Sequence, residues 1–148
     1  MLDIKVKYFK ELTTQELYGI LQLRSEVFVV EQDCVYQDID NKDQIALHVL
    51  GFKKDKVVAY TRFFKPGDNF KQASIGRVVV CKKERHNKYG NVIMKATIIA
   101  IKKHFKENLI VLSAQTYLKA FYKNLNFIET GEEYLEDNIP HIKMIKKH

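Results

Sequence analysis

The sequence predicts an α/β (α+β) fold in which strands and helices follow the order β-α-β-β-β-α-β-α-β-β, with a parallel strand pair at the centre. Three observations carry this reading. Ile75, Val78, Val79 and Val80 form the strongest β-branched run in the chain, a long amphipathic helical pattern opens at Gly90, and residues 109–113 form a short apolar run that ends on Ser113. A strand-helix-strand unit of this kind closes as a right-handed parallel crossover. A chain of 148 residues with 46% apolar composition is long enough to bury a two-layer core, so one domain over residues 1–148 is expected.

The other elements follow in order. Residues 4–8 alternate apolar side chains with lysine, the period-two pattern of a half-buried strand. Thr13-Thr14-Gln15-Glu16 reads as a capping box, and Leu17, Ile20, Leu21, Arg24, Val27 and Phe28 then recur at helical spacing. Residues 31–43 are polar, acidic and turn-rich. Residues 45–52 and 57–64 read as strands joined by the turn Lys53-Lys54-Asp55-Lys56, hence a hairpin. Pro66-Gly67-Asp68-Asn69 breaks the chain ahead of the strand over 73–81. The helix from Gly90 runs to about Asn108, a further helix is expected over 115–125, and residues 127–133 and 139–145 close the chain as strands.

Composition narrows the function. The formal charge of +7, from 25 Lys and Arg against 18 Asp and Glu, favours anionic partners without choosing among nucleic acid, a membrane surface and a phosphorylated cofactor. Positive residues concentrate in Lys82-Lys83-Glu84-Arg85-His86-Asn87-Lys88 and in residues 143–148, the latter read as a solubilising end. No basic stripe is interleaved with aromatics and no RRM or KH signature is present, so a nucleic-acid partner is not expected. No apolar run reaches the ~18–20 residues of a membrane span, and Met1-Leu2-Asp3-Ile4-Lys5 lacks the basic flank and apolar stretch of a leader. A cytoplasmic protein with no membrane partner is therefore expected. Cys34 and Cys81 lack CxxC spacing and read as reduced thiols, while His48, His86, His104, His141 and His148 form no HxH or HxxxH pair, so no metal site is expected.

A buried strand that runs into a basic turn and then a helix is suited to holding a pyrophosphate. Amides at a helix N-terminus are unpaired and carry partial positive charge, Gly90 lets a ligand approach the backbone, and Arg85 and Lys88 add charge. Neither GxxxxGK[ST] nor GxGxxG occurs, so P-loop and Rossmann readings lack support.

Val78-Val79-Val80 followed by Arg85-His86-Asn87-Lys88-Tyr89-Gly90 resembles the strand and (Q/R)xxGx(G/A) loop of the GNAT superfamily of N-acetyltransferases. Leu112-Ser113-Ala114-Gln115 and Phe121-Tyr122-Lys123-Asn124-Leu125-Asn126-Phe127 resemble its second cofactor segment, which ends FYxxxGF. Residues 23–32, 75–78, 113–115 and 134–142 are further similar to its ElaA-like branch. Two departures stand out: Lys88 occupies the loop's first glycine position, and Asn126 replaces the glycine before Phe127.

The resemblance implies a GNAT fold, a single mixed, mostly antiparallel sheet with a central parallel pair flanked by helices. It implies acetyl-CoA as acyl donor and direct transfer to a primary amine, of a small molecule or peptide, in a ternary complex. Coenzyme A would lie along Val78, Val79 and Val80, with its pyrophosphate on Arg85, His86, Asn87, Lys88, Tyr89, Gly90 and Asn91, and with Gln115 in a cofactor or structural role. Tyr122 is the family-matched acid for the departing thiolate, since an unperturbed phenol stays protonated at neutral pH. The general base is open among His141, Glu31 and Glu136, each with a structural alternative, and water-mediated deprotonation is a further route. Arg24 and Arg77 meet either an acidic group of the acceptor or Asp38, Asp40 and Asp43 within the chain, and His48 reads as a satisfied core histidine. A homodimer is compatible with the resemblance. Two other readings stand beside this one: a catalytically silent CoA-binding protein of the same fold, and a basic nucleic-acid-binding module.

Overall fold

The structure, a computed structural model, describes residues 1–147. The N-terminal alternation becomes β1 (Asp3–Tyr8), and Thr13 caps α1 (Thr14–Arg24). Its hydroxyl accepts from the Glu16 amide at 3.0 Å, while Glu16 Oε1 accepts from the Thr13 amide at 2.9 Å, so both halves of the capping box form. α1 passes directly into a π-helical segment, Ser25–Glu31, a widening that no residue pattern announces. Ile20, Leu23 and Val27 bury the inward stripe.

Among the described residues, seven strands form one sheet in the order β1-β2-β3-β4-β5-β7-β6. β2 (Leu47–Lys53) and β3 (Lys56–Phe64) are joined by Lys54-Asp55, whose φ values of 50° and 66° give the left-handed turn that suits a two-residue hairpin. β4 (Ala73–Val80) leads into α2 (Tyr89–Phe105), which packs on β2, β3 and β4, and the chain returns as β5 (Leu109–Gln115). β4 and β5 are the parallel pair; every other neighbouring pair is antiparallel. α3 (Lys119–Lys123), β6 (Ile128–Glu136) and β7 (Ile139–Lys147) complete the described chain. No helix among the described residues is long and apolar enough to cross a membrane.

Three segments differ from the sequence reading. The helix expected over 115–125 is shorter, because Gln115 stays in the β-ladder opposite His141 and Thr116–Leu118 forms a 3-10 turn, leaving only α3 helical. α2 ends at Phe105 because Lys106 turns left-handed with φ 55° and its amide caps Lys102. Residues 143–147, read as part of a solubilising end, lie inside β7: Ile142 and Met144 are buried, and the period-two alternation continues to Lys147. His148 lies outside the described residues.

The β4–β5 seam is short. Residues 73–75 pair with 110–112, and beyond that point the two strands have no mutual partners. A bulge starts the divergence: Gly76 faces Arg62 and Val79 faces Tyr60, so Arg77 and Val78 oppose Thr61 alone, with Arg77 at φ 52°.

Candidate active site

The divergence opens a cleft of about 930 Å³ between residues 76–80 of β4 and 113–115 of β5, bounded by the π-helical segment, the start of α2, α3 and the β6–β7 hairpin. Of the expected cofactor contacts, Val78, Val79, Val80, Arg85, Lys88, Gly90, Asn91 and Gln115 line it. His86, Asn87 and Tyr89 do not: Tyr89 is buried in the core and Asn87 donates to Glu84 at 2.9 Å.

Lys88 stands at φ 59°, ψ 29° immediately before α2, and Asn126 at φ 70° before Phe127. Both positions keep the left-handed backbone that a glycine there would serve, although neither residue is glycine. Gly90 itself has a packing reason beyond the expected ligand approach. A Cβ there would meet the Phe121 ring at 3.1 and 3.2 Å.

Arg85, expected to add positive charge to the loop, is paired within the chain: Nη1 and Nη2 donate to the Glu31 carboxylate at 2.6 and 2.8 Å, and Nε donates to the Val80 carbonyl at 3.2 Å. The same contact bears on Glu31, one of the three candidate bases. Hydrogen bonding to Arg85 holds its carboxyl below the ordinary range, which makes it a poor proton acceptor.

Tyr122 lines the cleft from α3, with its ring edge-on to Phe121 at 5.0 Å and to Phe127 at 6.1 Å between centroids. Burial pushes the phenol up, so it stays protonated through the neutral range. Across the cleft, the side-chain amides of Gln115 and Gln32 face each other at 3.3 and 3.4 Å. His141 also lines this end, and its Nδ1 lies 2.7 Å from the Ile139 carbonyl.

Arg24 and Arg77 pair within the chain. Arg24 donates to Asp38 at 3.0 Å and Asp43 at 2.7 Å, and Arg77 donates to Asp38 at 2.8 Å and Asp40 at 3.3 Å. Arg62 joins them, bonding Asp40 at 2.8 and 2.5 Å and Asp43 at 2.9 Å, while its buried Nε has no partner. The sequence reading missed Arg62; the signal was a lone guanidinium inside an otherwise apolar strand. Arg62, Arg77 and Asp40 of this network line the cleft, as does Tyr36. Below it, His48 is fully buried: Nε2–H donates to the Asp43 carbonyl at 2.8 Å, so Nδ1 accepts from the Tyr60 hydroxyl at 2.5 Å. Burial holds this imidazole below its usual range, in keeping with a structural histidine.

Residues 9–148 match the sequence profile of the acetyltransferase (GNAT) domain. Protein ElaA of Escherichia coli is 41% identical over 149 residues, covering 99% of this chain and 97% of that protein. The crystal structure of Escherichia coli ElaA superposes with a TM-score of 0.92 at 40% identity, covering 99% of this chain and 100% of that one. An acyl-CoA N-acyltransferase from Pseudomonas aeruginosa superposes with a TM-score of 0.93 at 38% identity, covering 99% of each chain.

Proposed function

This chain belongs to the acetyltransferase (GNAT) family, and on that footing we propose that it moves an acetyl group from acetyl-CoA to a primary amine by direct transfer within one ternary complex. The acceptor is a small-molecule or peptide amine, and residues 1–148 act as one acyltransferase domain in the cytoplasm. A single observation supports this most: residues 76–80 leave the β4–β5 seam unpaired along a cleft that ends at the first turn of α2. An open strand edge suits an amide-bearing arm lying as an added strand, and the amides at the start of α2 suit a pyrophosphate.

The thioester supplies an activated acyl carbonyl and a sulfur leaving group. Val78, Val79 and Val80 offer the strand edge, and the backbone from Arg85 to Asn91, with the Lys88 ammonium, offers donors and charge to phosphate oxygens. Tyr122, buried and protonated, donates to the departing sulfur. With Glu31 held by Arg85, His141 is the base this reading retains.

Acetyl-CoA binding to the native state raises the melting temperature and gives calorimetric heat. Tyr122→Phe keeps that heat and loses on the order of a hundredfold in turnover, the size of a general-acid contribution. A folded chain that gives no heat with CoA or acetyl-CoA removes the proposal.

A further inference from the structure

His141 is the one cleft-lining imidazole among the described residues, and its surroundings are more specific than a strand histidine requires. It stands on β7 directly opposite Gln115 of β5 and Tyr134 of β6. The Ile139 carbonyl, 2.7 Å from Nδ1, can only accept, so Nδ1 carries a proton and Nε2 of the neutral ring holds the lone pair. Glu136 Oε2 lies 3.4 Å from that Nε2. An ionised carboxylate also only accepts. The neutral ring therefore satisfies one of these two neighbours, whereas the doubly protonated ring satisfies both, and a proton arriving at Nε2 relieves the mismatch.

The hairpin fixes this relation. Asp137 and Asn138 take φ values of 51° and 63°, a two-residue left-handed connection that sets Glu136 opposite Ile139. The Tyr134 ring lies against the imidazole, with centroids 6.2 Å apart and planes 23° apart, and its hydroxyl is tied to Ser113 Oγ. The other charges at this end are engaged elsewhere or exposed at the rim. Asp40 and Arg77 pair with each other, Lys143 lies over the Phe70 ring at 5.8 Å, and the Asp137 carboxylate is exposed, while its backbone carbonyl accepts from the Cys34 thiol at 3.5 Å.

Resting on the acyl-transfer reading above, we propose that Glu136 is a positioning residue of the reaction: acting through His141, it makes Nε2 the atom that takes a proton from the acceptor's ammonium. One N–H bond of the ammonium breaks and the Nε2–H bond forms. The freed lone pair makes the C–N bond at the acyl carbonyl, the C–S bond breaks, and sulfur takes the Tyr122 proton. The nitrogen's second proton returns to the Tyr122 oxygen, and His141 releases its own to solvent as the amide leaves.

The test compares wild type with Glu136→Gln in the whole chain, using acetyl-CoA with two probes: spermidine, a protonated amine at neutral pH, and hydroxylamine, which is already unprotonated there. In the variant, kcat with spermidine falls about fivefold, the worth of one exposed ion pair of about 1 kcal/mol, and the acid limb of its pH profile moves to lower pH. The KM for acetyl-CoA and transfer to hydroxylamine stay as in wild type, which loss of fold would not allow. ¹⁵N NMR of neutral His141 gives the Nδ1–H tautomer. Equal slowing with both probes, an unmoved acid limb, an Nε2–H tautomer, or no transfer to either probe by a chain that binds acetyl-CoA each overturns the proposal. Absence of calorimetric heat with acetyl-CoA instead overturns the acyl-transfer reading, and the tautomer measurement separates the two failures.

Discussion

Lys88 holds a backbone conformation at φ 59° that disfavours any side chain, at a cost of roughly 1–2 kcal/mol for an L-residue. Replacing it tests whether the strain is real. Lys88→Gly is expected to be neutral or to stabilise by up to about 1 kcal/mol, because relief of strain outweighs the extra freedom of glycine in the unfolded chain. Lys88→Val, β-branched, is expected to destabilise by about 1–2 kcal/mol, and urea unfolding measures both. Positions of this kind were legible in the sequence, since the resemblance marks where a glycine belongs and Lys88 and Asn126 keep the turn without it. The pairing of Glu31 with Arg85 was not. Those residues are 54 positions apart, and nothing local in either segment records the partner that holds the Glu31 carboxylate.

At the scale of elements, the loop between the π-helical segment and β2 carries no continuous apolar stripe, and it is held to α1 by Arg24 and to the sheet by Arg62 and Arg77, through Asp38, Asp40 and Asp43. Burial pushes the Asp43 carboxyl up, but hydrogen bonds and charge from Arg24 and Arg62 outweigh it and hold the group below its ordinary range; Asp40 is held low in the same way. A carboxyl depressed in the folded state contributes stability that is complete above the ordinary carboxylate range. That contribution is lost as pH falls below about 4. Asp43→Ala leaves Arg24, which is fully buried, and Arg62 short of a partner, with an expected loss of about 3–5 kcal/mol in urea unfolding at pH 7. The same variant loses less on acidification from pH 7 to 3 than wild type does. Three acidic residues in a turn-rich stretch and two arginines on inward faces foretold such pairings. The π-helical turn that aims this loop left no trace in composition, because its residues suit an ordinary helix equally well.

For the whole molecule, the alternation of elements and the parallel crossover were legible because hydrophobic period and turn residues are local properties. How far β4 and β5 stay paired was not, because it depends on the bulge at Arg77 and Val78, and that bulge exists only in the register against β3. β6, at the sheet's outer edge, carries Glu129, Glu132, Glu133 and Glu136, charges that discourage a second edge from pairing with it. The short seam has a mechanical consequence. The β1–β4 half and the β5–β7 half are stitched at residues 73–75 and 110–112 and then part, so the sheet works as two plates joined at one end. Backbone amides of residues 76–80 and 113–115 that face the gap are expected to exchange with deuterium quickly in the free protein and to slow at least tenfold when acetyl-CoA is added. A donor seated there would act as the missing rung, and its arrival would be felt as stiffness at the far strands as well as at the site where chemistry occurs.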